Sequence, residues 1–410
     1  MLSKRTLMIT IISALCLVSL AGAEEGKSES KIEPKLVYEK HFDFEIEQGK
    51  IGDDGSLFPT IFVTKDNRVL FLDENGNVHK TLSFTWPNYI AKISDDGKNV
   101  IVMTPFNRDK NEFDVKIYGT SGKVIVQKRM SFTTGVPVDI FLTKGAKDVI
   151  IFFAGGDLVE PCGIGFYDGK LDLRKLYTRD DFERPLVPGS YWRNPGFNGA
   201  WLNEKEQSFL IGVGSNINSY GVYIFEVPTG ELKYYEYFDT LVTGRCTVSN
   251  DGTKFVCVAC ESYRKIFDKN GQNILSYIIV SEQNKVKFAT MLSRDSKPEW
   301  LPEIPLVFSQ NNHYLVAAFD DTIFLYNFRL SQLTKLHSPT GKRLNAIDVT
   351  NDRSILITDE KGTISILDSA DNLIFQKEFA RPLVEFKYFP KTERLIMITP
   401  KGAFNFILNH

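Results

Sequence analysis

Chemistry that could act on a partner is concentrated in two stretches. Tyr191, Trp192, Arg193 and Phe197 fall within residues 178–198, and Arg294 and Trp300 fall within residues 281–305. Aromatic rings and guanidinium groups dominate binding hot spots, because they join a large apolar area to directed hydrogen bonds. The competing use of each is as a cover over a hydrophobic core. Asp157, Glu160, Asp180 and Asp181, with Arg193, are the carboxylates and cation that could do acid–base work at a pocket mouth. Asp73-Glu74-Asn75-Gly76 and Asp268-Lys269-Asn270-Gly271 cluster oxygens, but neither is followed by the bidentate carboxylate of an EF-hand, so both read as structural turns. Five histidines leave little material for imidazole sites. No GxSxG, HExxH or GxxxxGK[ST] motif occurs, so no catalytic residue, metal site or cofactor is assigned.

The cysteines carry a second possible chemistry. Cys246 and Cys257 flank one turn, which puts them on one face of adjacent strands, opposed or diagonal according to register. They are buried thiols or a disulfide. Cys162 with Cys260 is the other pairing considered, since both fall near loops between second and third strands. Cys257 and Cys260 are three apart, so an unbulged strand points them to opposite faces, which argues against a convergent CxxC site.

These residues need a frame, and the N-terminus says where it works. Lys4 and Arg5, the apolar run Leu7 to Leu20, and Ala21-Gly22-Ala23 have the order of an export signal. About 14 apolar residues fall short of the roughly 20 that span a bilayer. Residues 1–23 are therefore expected to be removed, leaving a periplasmic or extracellular chain with no membrane span. Removal shifts the formal charge from -2 to -4. That balance offers no basic field for nucleic acid. Residues 24–35 are a polar lead-in, and residues 36–410 form one domain.

Within that domain short runs of Val, Ile, Phe and Tyr alternate with Asn, Asp and Gly turns. One turn recurs eight times, with an apolar residue, then usually Ser or Thr, then polar residues before the next strand. It starts at Thr64, Ser94, Thr143, Asn203, Ser249, Ser309, Thr350 and Pro390. A second, often Gly-bearing turn follows at 73–76, 120–122, 168–169, 228–230, 268–271, 329–332 and 368–372. A step near 45 residues with four strands per unit is the propeller period. Outer strands share a look: His79-Lys80-Thr81, Gln127-Lys128-Arg129 and Gln376-Lys377-Glu378. Tyr38-Glu39-Lys40 shares it, so Leu36–Ile46 is expected to be the outer strand of the blade containing Val384–Leu408.

Ser94-Asp95-Asp96-Gly97-Lys98 and Ser249-Asn250-Asp251-Gly252-Thr253 resemble the inner-hairpin turns of bacterial WD40-like, TolB-like and YVTN-type β-propellers. The resemblance covers residues 36–410 as architecture and implies fold alone. The expectation is an all-β single β-propeller with eight four-stranded blades, seven being the fallback if the 30-residue step from Thr64 to Ser94 hides a partial unit. Both turn families fall on one rim. The other rim carries 104–112, 154–163 and 214–221 within blades, and 45–58, 178–198 and 281–305 between them. The expected function is non-enzymatic binding or scaffolding. A monomer presents the long-loop face to a protein, peptide or glycan through Tyr191, Trp192, Arg193, Phe197, Arg294 and Trp300. The alternative is a hydrolase, lyase or quinoprotein-like enzyme at the channel mouth.

Overall fold

The computed structural model describes residues 34–52, 54–84, 90–104, 106–107, 109–132, 136–154, 161–178, 181, 196–203, 206–215, 220–238, 241–261, 274–282, 285–295, 305–379 and 383–408. For 154, 161–162, 196–199, 213–215, 220–221, 236–238, 241–245, 258–261, 274–282 and 285–295 the backbone alone is described. The expected signal, most of the lead-in, Cys16, and Asp157, Glu160, Asp180, Tyr191, Trp192, Arg193 and Trp300 lie outside the described residues.

Among the described residues the strands form eight four-stranded antiparallel sheets. Seven are consecutive in the chain, at 46–83, 90–131, 136–178, 196–238, 241–295, 306–337 and 344–378. In each of these the strands pair in chain order, and we letter them a to d. The eighth sheet takes strands a, b and c from Glu385–Phe389, Arg394–Thr399 and Gly402–Ile407, and strand d from Lys35–His41. Lys35 pairs with Ile407 and His41 with Gly402, so the two ends of the chain share one sheet. The expected outer strand Leu36–Ile46 is thus shorter than its sequence span: it stops at His41, and Ile46 opens strand a of the first sheet.

Burial explains the sequence pattern. Strands b and c are covered on both faces by neighbouring sheets, so they read as continuous apolar runs rather than as alternation. Ile355–Asp359 and Thr363–Leu367 are buried at every residue. Strand d faces solvent, and Val78–Ser83 is mostly exposed. Eight hydrophobic clusters lie between successive sheets. Ile61, Val69 and Phe71 of the first sheet pack with Val100, Val102 and Tyr118 of the second. At the other end Ile396 and Ile398 of the eighth sheet pack with Ile46, Phe62 and Leu70 of the first. The ring is a closed β-propeller whose chain ends share one sheet, and the edges left are the short outer ones of the d strands.

Two turn assignments are corrected by the register. Thr64–Asn67 joins strands b and c of the first sheet, not a and b. The a–b connection there runs 49–59 and holds Gly52-Asp53-Asp54-Gly55, with the Gly55 N–H bonded to the Gly52 carbonyl at 3.0 Å. This near-copy of Ser94-Asp95-Asp96-Gly97 removes the short 30-residue step. Asp268–Gly271 lies in the b–c connection of the fifth sheet, outside the described residues, and the c–d connection there is 283–284. Three long connections shrink accordingly. Residues 46–48 are strand a of the first sheet, Lys285–Asp295 is strand d of the fifth, and Gly196–Leu202 is strand a of the fourth. Phe197 and Arg294, expected in loops, lie in strands. An apolar Phe and an Arg flanked by turn-like residues could not be told from loop by composition.

Candidate functional site

The repeated turn is built by one hydroxyl. Ser249 Oγ accepts the Lys254 N–H at 2.9 Å and donates to Asp251 Oδ1 at 2.6 Å. Ser309 does the same with Tyr314 and Asn311, and Ser94 with Asn99 and Asp96. These serines are fully buried. In the fourth sheet Asn203 replaces the hydroxyl, its Oδ1 accepting the Phe209 N–H at 2.8 Å. Side chains of one turn also reach the next. Asn203 donates to Asn250 Oδ1 at 3.1 Å, Asn250 donates to the Gln310 carbonyl at 2.8 Å, and the Asn311 N–H bonds Asn351 Oδ1 at 2.8 Å. Earlier in the ring Asp96 accepts the Gly145 N–H at 3.0 Å, and Gln207 accepts the Lys144 N–H at 2.5 Å. The a–b turns are therefore tied into a polar belt. Gly97 is needed there: its φ is +69°, and a Cβ would meet the Lys50 carbonyl and Thr60 Oγ1 at 2.9 Å.

Inside this belt lies a cavity of about 1150 Å³, lined by the a strands and a–b turns of the seventh and eighth sheets and by turn residues of the first four and the sixth. Thr358, Asp359 and Gly362, at the b–c end of the seventh sheet, also line it, so the cavity has depth along the ring axis. Lys50 stands between two carboxylates in its wall, 3.3 Å from Asp95 and 3.4 Å from Glu385. About a quarter of the Asp95 and Glu385 side chains reach cavity solvent. Protein nonetheless surrounds Glu385 closely enough that burial raises its pKa, against the attraction of Lys50. Lys92 and Asp139, on the a strands of the second and third sheets, pair at 3.4 Å. Lys50, Asp95 and Glu385 give the cavity wall charges of alternating sign.

Lys50, Asp95 and Glu385 were not among the residues singled out from the sequence. A signal was present. In Ser94-Asp95-Asp96 only Asp96 is consumed by the turn, which leaves Asp95 without a structural task. In Glu385-Phe386-Lys387-Tyr388 charged and aromatic residues alternate, as they must where one face meets a polar channel.

The residues expected to bind are treated unevenly. Phe197 opens strand a of the fourth sheet, opposite Gly214, and Arg294 nears the end of strand d of the fifth, opposite Leu275. Both backbone positions are on the rim opposite the a–b turns. Tyr191, Trp192 and Arg193 belong to the connection 179–195, and Trp300 to 296–305. Both connections run from a strand d to the next strand a, and so start and end on that same rim. Asp181, named for acid–base chemistry, accepts the Thr178 N–H at 2.7 Å and closes off strand d of the third sheet.

Cys246 and Cys257 sit directly opposite each other across strands a and b of the fifth sheet. Both are buried thiols packed in a cluster with Val248 and Phe255. The Cys162–Cys260 alternative places its partners in the third and fifth sheets, with the fourth between them. Among the described residues, no three His, Cys, Asp or Glu side chains gather as metal ligands would. Asp73 Oδ1 accepts the N–H groups of Asn75 and Asn77 at 2.9 and 2.8 Å, which is a turn-forming use of that carboxylate.

No family model and no curated protein matches the sequence. Solved structures match it in fold. BamB from Moraxella catarrhalis has 11% identity and a TM-score of 0.50, over 92% of this chain and 100% of that one. The computationally designed Ika8 protein has 12% identity and a TM-score of 0.57, over 92% of this chain and 100% of that one. The Dos1 propeller has 11% identity and a TM-score of 0.50, over 92% of this chain and 96% of that one. At such identities the likeness is one of fold, the β-propeller.

Proposed function

We propose that this chain is an exported, non-enzymatic propeller of eight blades that presents one rim to a protein, peptide or glycan. One observation carries the reading: the two rims differ in build. Apart from 49–59 in the first sheet, the a–b and c–d connections on one rim are short, and turn side chains cross-link them. The other rim receives the long connections 179–195, 262–273 and 296–305. A rigid ring under long loops is a scaffold on which recognition can vary without cost to the fold. Phe197 and Arg294 are at the feet of those connections, and Tyr191, Trp192, Arg193 and Trp300 are within them.

A photo-crosslinking residue at Phe197 or Arg294 tests this, with Lys98 and Lys391 on the short-turn rim as controls. The reading expects partner adducts, in cells that express the protein, from the first pair only. Adducts from the control pair alone would overturn it. A second reading, hydrolase or lyase chemistry, has one point in its favour: two carboxylates, Asp95 and Glu385, flank Lys50 in a deep cavity. Turnover of a model ester or glycoside that Glu385→Gln abolishes would favour that reading.

A further inference from the structure

The cavity runs along the ring axis from the a–b turns to the b–c end of the seventh sheet, and its chemistry differs from that of the rim loops. We propose that it is a binding site for a neutral polyhydroxylated ligand, a saccharide. This proposal does not depend on the rim reading.

Size comes first. About 1150 Å³ slightly exceeds the range of roughly 300–1,000 Å³ typical of small-ligand sites. There is room for more than one sugar ring with its water. Charge comes next. The lining carries five basic and six acidic side chains, so the net field is small. The charges are also interleaved. Lys50 is held between Asp95 and Glu385, one cation between two acids in the wall.

Such a wall discriminates by the sign of the ligand. An anion that took Lys50 would leave Asp95 and Glu385 facing each other with the cation withdrawn. A cation that took Glu385 would strip Lys50 of one partner. Breaking a half-buried pair by competition is costly. A hydroxyl group both donates and accepts, so a row of hydroxyls inserts between the charges and leaves each pair intact. Asn345 adds a neutral group of the same kind. It is exposed on strand a of the seventh sheet and lines the cavity, and an amide offers a carbonyl and an NH₂ to vicinal hydroxyls. The belt of turn-to-turn bonds keeps the mouth in one shape, which lowers the ordering cost of binding.

The test is calorimetric titration of the mature protein with maltotriose, cellobiose, chitobiose and sucrose, beside spermidine and inorganic phosphate. At least one saccharide is expected to bind with an affinity that does not change with salt. Lys50→Met and Asn345→Trp are each expected to weaken it by about tenfold or more. Asn345→Trp fills the cavity without touching the ion pairs, so its melting temperature should match the parent even if Lys50→Met is unstable. Lys335→Ala, on an exposed outer strand away from the cavity, should leave saccharide binding unchanged. The proposal is overturned by no saccharide binding, by salt-dependent binding of spermidine or phosphate instead, or by saccharide binding that survives Asn345→Trp. Loss of saccharide binding in Lys335→Ala would place the sugar outside the cavity and overturn it too.

Discussion

Single side chains set the turns, and two types do most of it. The buried hydroxyl of Ser249 holds the N–H of Lys254, so Ser249→Ala leaves a buried donor without its partner. The expected cost is about 1–3 kcal/mol, read as a lower urea midpoint at constant slope. The second type is the turn carboxylate. Asp168 Oδ1 accepts the N–H groups of Lys170 and Asp172 at 2.8 and 2.9 Å, repeating the geometry of Asp73. Backbone hydrogen bonds, from Asp172 and Asn77 respectively, hold both carboxyls below the ordinary value. A carboxylate with a depressed folded pKa adds stability that is complete above its unfolded pKa, near 3.9, and is lost as pH falls through the folded value. Urea midpoints measured from about pH 5 down to pH 2 should therefore fall less steeply in the Asp73→Asn, Asp168→Asn double variant than in the parent. Equal slopes would mean that these bonds do not distinguish folded from unfolded chain.

Between elements the outer strands do something their sequence likeness did not reveal. Lys40 donates to the Asn75 carbonyl at 2.9 Å, Lys80 to the Gly122 carbonyl, and Lys128 to the Leu171 carbonyl at 3.0 Å. Arg174 donates to the Pro228 carbonyl at 2.6 Å. In each case a cation on strand d of one sheet hooks the c–d turn of the next. Lys377 keeps the direction but uses a ring face, lying 4.8 Å from the Phe406 centroid in the eighth sheet. Gly122, at φ +67°, lets the Lys80 stem pass where a Cβ would collide with it. These clasps are exposed or half-buried, and Lys128→Met alone should cost about 0.5–1 kcal/mol by thermal melting. The strand that carries Lys40 is another matter. Deleting Lys35–His41 bares the whole edge of Gly402–Ile407 and should convert a soluble, cooperative folder into one that aggregates on size-exclusion chromatography.

At the scale of the whole molecule, ring closure sets the charges of the inner wall. Lys50→Met leaves Asp95 and Glu385 without the cation between them, and the groups are only partly buried. A loss of roughly 1–2 kcal/mol in chemical denaturation is expected at neutral pH. Glu385→Gln should act in the other direction. Burial raises the Glu385 pKa, so its contribution is most favourable below the unfolded value and is lost as pH rises through the folded one. The Gln variant should therefore be as stable as the parent or more so at pH 7, with a flatter stability profile between about pH 4 and pH 7.

The sequence by itself determined the units. Ser94-Asp95-Asp96-Gly97 and Ser249-Asn250-Asp251-Gly252 are legible because a hydroxyl, a carboxylate and a left-handed glycine can close a hairpin with no help from elsewhere. The kinship of Tyr38-Glu39-Lys40 with Gln127-Lys128-Arg129 was legible too, since an outer strand has one wet face and shows it. Which strand each turn joins was decided by tertiary structure. Thr64–Asn67 and Gly52–Gly55 are equivalent as local turns, and only pairing with Arg68–Leu72 and Thr60–Thr64 tells b–c from a–b. Arg294 could not be placed in a strand because its neighbours, not its own run, supply the ladder. The cavity wall was least legible of all. Lys50, Asp95 and Glu385 lie far apart in the chain, and only closure of the ring brings the eighth sheet against the first and sets one lysine between two acids.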